Sequence, residues 1–422
     1  MASILIVSKQ GDGVSLALRL ASEGHIVKMW FKDQRFKPCL DGFRNPSKIS
    51  DPLKMTEQYD LVISDMVGNG SICDTLSERG KLVISGGSFN DKLELDREYG
   101  SKVAKTLTET KSPRTQDATT KQQLIDLLDS EKAACTVKPL GNRHTGLTLV
   151  SKDPSNRMLK SIMATRAEEY LPCIVQETIS GIEVSTEGWF NGRAWVKPFN
   201  HTFEQKRLTE GDRGPHTGCM GNVVWATDGD KLTKAAIEPL APLLQKVNYI
   251  GPIDMNCIVT DSEAYFLEFS ARLGYDAFQA WSELVKSSVF DYLYNIASAQ
   301  KESFDYHTGY AMAVRLVVSP HPTLAKMDKW HSVKVIDPPK EAMRHIWMAD
   351  VMKKDDDLQI AGTDGVVCCV TSRGTSVREC QRRTYRTIRN IVLTDEIQYR
   401  SDIGNNVEDD KQRLVEMGWL NA

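Results

Sequence analysis

The stretch E-Q-K-R-L-T-E-G-D-R-G-P-H-T-G-C-M-G, residues 204–221, sets Lys206, Arg207 and Asp212 among four glycines with no hydrophobic periodicity. It reads as a loop. Glycines present backbone N–H groups and admit close approach of a ligand, while Lys206 and Arg207 supply positive charge for phosphate or carboxylate oxygens. Alone, this is a weak signal, because solvated basic turns are common. It gains weight from its neighbours in the chain: Lys102 and Lys138 precede it, and Glu268 and Arg272 follow.

The rest of the sequence limits what that loop can serve. The 422 residues are 41% hydrophobic and 26% charged with a net charge of -3, which describes a globular chain long enough for two to four domains. That charge balance argues against nucleic acid as a partner. No apolar run reaches membrane length, and residues 1–31 resemble a strand and glycine turn instead of a cationic targeting segment, so a soluble cytoplasmic protein is expected. The nine cysteines form no C-x-x-C pair, which argues for reduced, mostly buried thiols. The sequence carries no signal that separates a monomer from a homo-oligomer.

Apolar runs at 3–7, 26–31, 61–64 and 82–85, separated by Gly11-Asp12-Gly13 and other turns, predict a parallel α/β unit over residues 1–98. The glycine pair lacks a full G-x-G-x-x-G, so a structural turn is the favoured reading over a dinucleotide site. From residue 99 to 303, strands expected at 135–138, 174–177, 182–189, 256–259 and 264–269 alternate with helices and carry charges at their ends. A polar S-A-Q-K-E-S near residue 300 marks a boundary, and 304–422 reads as a smaller α+β domain.

Taken in order, the charged motifs resemble the ATP-grasp fold, and most closely the glycinamide ribonucleotide synthetase (phosphoribosylamine-glycine ligase) family. The family's signature Lys-Arg, Gly-Asp-x-Gly-Pro-x-Thr-Gly-x-Met-Gly stands here as Lys206-Arg207, Gly211-Asp212, Gly214-Pro215, Thr217-Gly218 and Met220-Gly221, at unchanged spacing. The likeness extends to Gly100-Ser101-Lys102, T-V-K-P-L-G (136–141), V-Q-E-T-I-S-G-I-E (175–183), L-E-F-S-A-R-L-G (267–274) and Y-R-S-D-I-G (399–404). The resemblance implies an ATP-dependent carboxylate–amine ligase of purine biosynthesis, with small-molecule amine and amino-acid substrates. It implies Lys102 and Lys138 on the ATP phosphates, and Gln176, Glu177 and Ile179 in the strand whose backbone reads adenine. Glu183 falls on the ribose. Glu268, Ser270 and Asn256 are implied around Mg²⁺, with Mn²⁺ an alternative, and Arg272, Lys206, Arg207 and Asp212 at the reacting groups.

This chain also departs from the family pattern. Glu268-Phe269-Ser270 replaces Glu-Phe-Asn, so a hydroxyl stands where the family has an amide; Asn256 or Asp254 are the residues that could compensate. The segment G-N-R-H-T-G (141–146) lacks the family's Gly-Lys-Gly, leaving Arg143 or His144 to supply charge. The N-terminal motifs that handle substrate in the family read S-K-Q-G-D-G (8–13) and S-D-M-V-G-N-G (64–70), and Leu273-Gly274-Tyr275-Asp276-Ala277 replaces Phe-Gly-Asp-Pro-Glu. Two alternatives therefore stay open: a ligase acting on a different nucleotide-like amine, and a nucleotide-binding module without catalysis.

Overall fold

In the computed structural model, residues 1–140, 148–323, 327–334, 340–355, 357–391 and 396–421 are described. The N-terminal unit is a five-stranded parallel sheet in the order Ser47–Lys48, Ile26–Phe31, Ser3–Ser8, Leu61–Ser64, Val83–Ile84. Its central strand is buried on both faces, Ile4 and Ile6 joining one core and Leu5 and Val7 another, which is why S-I-L-I-V-S reads as an unbroken apolar run.

The centre of the molecule is a nine-stranded antiparallel sheet. Its main path runs Ala264–Ser270, Ile250–Val259, Ile182–Asn191, Trp195–Thr209, Arg213–Thr227, Tyr310–Val318, Val366–Gly374, Ile346–Met348. The sheet is continuous across residue 303, because Gly221–Val224 pair with Ala311–Val314. A separate four-stranded sheet, ordered Thr115–Ala118, Cys173–Glu177, Cys135–Pro139, Leu149–Val150, packs with the helices Lys121–Ser130 and Arg157–Tyr170 around its own core of Leu124, Leu128, Val137, Leu159 and Met163.

The stretch 204–221 is not a loop. It is the distal half of a hairpin whose arms are the 15-residue strands Trp195–Thr209 and Arg213–Thr227, and only 210–212 turn. Gly211 and Gly214 take φ of +68° and +77° at that tip, and Asp212 takes +54°. Gly218 serves a different need. A Cβ there would lie 3.2 Å from the Tyr275 ring, so glycine lets the ring pack against the strand. The glycines that removed the hydrophobic alternation are thus spent on turn geometry and close approach within a strand pair.

Candidate active site

The large sheet presents a row of carboxylates toward the four-stranded sheet. Glu183 and Glu187 lie on Ile182–Asn191, Glu204 on Trp195–Thr209, Asp254 and Asn256 on Ile250–Val259, and Glu268 on Ala264–Ser270. A bulge sets the last of these. Asn256 pairs with Glu268 and Cys257 with Phe266, so Leu267 is the extra residue. Bulges of this kind re-aim side chains at the edge of a site.

Lys206 sits inside this row. Its Nζ donates to Glu183 Oε1 at 3.0 Å and lies 3.7 Å from both Glu204 Oε2 and Glu268 Oε1. Burial opposes its charge, yet Glu183, Glu268 and Glu204 together hold the ammonium well above its ordinary value. Burial likewise opposes the charge of Glu183, but Lys206, the Asn256 amide and Lys138 outweigh it and hold that carboxyl low. Lys138, from the strand Cys135–Pro139, faces the same group; burial pulls its ammonium down against the attraction of Glu268 and Glu183. Deeper in the sheet, burial pushes Glu187 up to about 7, and burial with Glu204 and Glu187 pushes Asp254 well above the usual range.

The arrangement bears on a divalent cation. Among the described residues, no set of three or more His, Cys, Asp or Glu side chains forms a cage for a metal. Magnesium bound with phosphates needs only one or two carboxylates, because phosphate oxygens and water complete its shell. Glu268, 61% exposed, is open to such an ion. Asn256 is 4% exposed; its Nδ2 donates to Glu183 at 2.8 Å, which leaves its buried Oδ1 without a hydrogen-bond partner. An unpaired amide oxygen one strand from Glu268 is the hard donor that position calls for.

The remaining residues expected at the site are distributed differently. Gln176 and Glu177 lie in a strand paired on both edges, and the Glu177 N–H donates to Arg114 O at 3.0 Å, so their backbone is used within the sheet. Ile179 lies beyond the ladder. Lys102 is exposed on the helix Arg97–Leu107, with no hydrogen bond or ion pair among the described residues; the basic residue of that helix whose charge acts on Lys138 is Arg97. Ser270 ends its strand opposite Asp254. Arg143 and His144 lie outside the described residues.

Nor does the structure place Lys206, Arg207 and Asp212 together. Neighbours along a strand face opposite ways. Arg207 Nη1 donates to Gly214 O across the hairpin at 2.8 Å. Asp212, 70% exposed at the tip, receives Arg400 at 2.7 Å, and Arg400 also binds Asp402 while being only 2% exposed itself. These contacts fasten the hairpin tip to the Y-R-S-D-I-G segment.

Arg272 lies between the carboxylate row and a second cavity. Its Nε is 3.3 Å from Glu94 Oε1 and its guanidinium stands 4.2 Å from the centre of the Tyr275 ring. Burial works against its charge, and Glu94, Tyr275, Glu204 and Asp12 hold it strongly cationic. The cavity beyond it, of about 50 Å³, lies where the N-terminal glycine turn, residues 273–279 and the strands at 346–348 and 366–374 meet. Among the described residues, five aspartates line it, Asp12, Asp65, Asp276, Asp350 and Asp364, and one cation, Arg315, which is held by Asp276 at 2.7 and 3.0 Å. Burial, with Asp12 beside it, pushes Asp65 up to about 7; burial and Asp350 push Asp364 up to about 8. Sequence reasoning missed this acidic wall. Its members come from four distant segments, although the altered motifs at 8–13, 64–70 and 273–277 each contribute to it.

Comparisons with known proteins agree with this architecture. Residues 99–277 match the family model described as phosphoribosylglycinamide synthetase, ATP-grasp (A) domain. A phosphoribosylamine–glycine ligase of Clostridium acetobutylicum is 28% identical over 244 residues, 55% of this chain and 56% of that protein. The chain thus spans little more than half of that relative. One from Helicobacter pylori is 23% identical over 429 residues, covering 97% and 98% of the two chains. Among solved structures, the phosphoribosylamine–glycine ligase of Thermotoga maritima superposes with a TM-score of 0.71 at 21% identity, covering 95% of this chain and all of that one. A biotin carboxylase from Campylobacter jejuni, solved as an ATP complex, gives 0.63 at 11% identity over 99% of this chain and 95% of that one. The chain therefore has the ATP-grasp fold, and its residues 99–277 form an ATP-grasp domain of the phosphoribosylglycinamide synthetase type.

Proposed function

We propose that this protein is an ATP-dependent carboxylate–amine ligase acting through an acyl phosphate. The carboxylate oxygen of one substrate attacks the γ-phosphorus and ADP leaves; the amine then attacks the acyl carbon and phosphate departs, giving an amide. The observation that carries the reading is the Lys138–Lys206–Glu183–Glu268–Asn256 constellation, drawn from both sheets that form the cleft. Lys138 neutralises phosphate charge, Glu183 accepts from ribose hydroxyls, and Glu268 with Asn256 Oδ1 offers hard oxygens to a divalent ion. Such an ion would offset phosphate charge there. Arg272 stands where the transferred phosphoryl group would pass from the cleft toward the acidic cavity.

The relatives point to phosphoribosylamine and glycine as the substrates, and so to purine biosynthesis. The test is mass-spectrometric detection of glycinamide ribonucleotide from phosphoribosylamine, glycine, ATP and magnesium. One observation favours a second reading of the acceptor alone. A small cavity with five aspartates and one neutralised arginine suits an ammonium group better than a phosphate ester. It suits the amino group of glycine, and it also suits a different amine acceptor. ADP release over a panel of phosphorylated and unphosphorylated amines separates the two. All nine cysteines are free and buried, and among the described residues no helix is long and apolar enough to cross a membrane; both observations are consistent with a cytoplasmic setting.

A further inference from the structure

A separate cavity, of about 330 Å³, opens at the far end of the large sheet. Its wall is built from the strand Val366–Gly374, the helix Val377–Asn390 and the turn before Ile346–Met348. Along the main path of the sheet, Ile346–Met348 is the last strand and Ala264–Ser270, which carries Glu268, is the first. This cavity is therefore not part of the ATP cleft.

Its lining is cationic. Arg344, Arg373, Arg383 and Arg386 all face it, and among the described residues no acidic residue does. The nearby carboxylates are already engaged: Glu283 receives His345 Nδ1 at 2.8 Å and the Thr371 hydroxyl at 2.6 Å, and Glu379 receives Arg383 at 2.6 Å. Arg344, Arg373 and Arg386 have no ion pair among the described residues. Arg373 donates only to the Glu283 carbonyl, at a long 3.4 Å, and Arg386 has no hydrogen bond among the described residues. Four guanidinium groups around one concavity repel each other, and the chain as a whole carries a net charge of -3, so general basicity does not account for them. The hydroxyl of Thr387 adds a donor to the same wall.

We propose that this cavity binds a small phosphate ester. Guanidinium forks match phosphate oxygens two at a time, which is why clustered arginines without carboxylate partners suit that group. The volume exceeds that of a single phosphate ion and lies at the lower end of the range for small-molecule pockets, which fits a sugar phosphate or a mononucleotide. The site is concave, not a flat stripe, and so favours a compact ligand over a nucleic-acid backbone. It is also connected to the acidic cavity. The helix Ala277–Leu284 walls that cavity with Phe278 and Gln279 at its start and holds His345 and Thr371 through Glu283 at its end. The proposal does not depend on the ligase reading.

Calorimetric titration with ribose 5-phosphate, at low ionic strength, tests it. Saturable binding is expected, with no binding of ribose. The double variant Arg344→Ala, Arg386→Ala should weaken it tenfold or more, while Lys138→Ala, which alters the ATP cleft, should leave it unchanged. Both arginines are exposed and outside any ion pair among the described residues, so the variant is expected to keep its fold, as circular dichroism will show. If it does not, Arg386→Gln alone, with a smaller loss, carries the same comparison. Binding abolished by Lys138→Ala but retained in the arginine variant would place the ester in the ATP cleft and overturn the proposal. Absence of saturable binding, or a marked preference for duplex DNA, would overturn it too.

Discussion

Lys206 Nζ lies 3.0 Å from Glu183 Oε1, across the pair of strands Ile182–Asn191 and Trp195–Thr209. The contact places the lysine of the signature hairpin inside the carboxylate row, where its charge balances Glu183, Glu204 and Glu268 at once. If a nucleotide and divalent ion bind as proposed, the same carboxylates would be offered new positive charge and Lys206 would be free to turn toward phosphate. Lys206→Met is therefore expected to leave three carboxylates uncompensated. Nucleotide affinity without metal should fall, and the magnesium concentration giving half-maximal activity should drop. An unchanged magnesium dependence would separate Lys206 from the metal-binding carboxylates.

Lys138 reaches the site from the opposite sheet and is held in a partly desolvated position. Lys138→Ala should weaken ATP binding by about 2–4 kcal/mol, the cost of removing one partner of a desolvated charge pair. Equilibrium nucleotide binding measures it. A dissociation constant equal to that of the unaltered protein would return Lys138 to a solvated strand end.

Arg400 is buried and grips Asp212 and Asp402, whereas Asp212 is mostly in water. Arg400→Ala should cost about 1–3 kcal/mol, because it removes a buried guanidinium and its charged hydrogen bonds, while Asp212→Ala should cost under about 1 kcal/mol. Denaturant unfolding of both variants compares them. If Asp212→Ala leaves stability intact yet abolishes amide formation, its role lies with substrate and not with fastening the hairpin.

Burial and Asp350 raise the Asp364 carboxyl to about 8. The folded protein then holds this proton more tightly than the unfolded chain, so the associated stability is present at low pH and declines as pH rises from about 4 to about 8. Asp364→Asn removes that decline while keeping an acceptor for the Val366 N–H. Melting temperatures of the two proteins should converge near pH 4 and separate in favour of the variant by pH 8. A constant difference across that range would contradict the assignment.

Much of this was legible in the sequence because the strands are buried. Ile4, Val27, Val62, Val137, Val184 and Val259 are almost wholly enclosed, and their apolar runs announced the strands. Charged residues at strand ends, such as Lys138 and Glu268, were legible through order and spacing. The hairpin was not. Its outer half pairs only across the hairpin and is held at the tip by Arg400 and Asp402, while its side chains follow the needs of the site and the tip, so alternation vanishes. The acidic cavity was invisible for another reason: Asp12 and Asp65 meet Asp276 and Asp364 only after the N-terminal sheet has packed against the large sheet. Lys102 is a different case: it is exposed on its helix, and Arg97 of the same helix is a basic residue whose charge bears on Lys138.

The central claim is that the cleft activates a carboxylate by phosphorylation, and the oxygen atoms report this directly. With glycine labelled by ¹⁸O in its carboxylate and the amine present, each turnover should place one labelled oxygen in the released phosphate, and Glu268→Gln should abolish both labelled phosphate and ADP. Phosphate released without label would show water, not the carboxylate, attacking ATP. ATP binding with no ADP formed for any amine or amino acid would leave a nucleotide-binding module in place of a ligase.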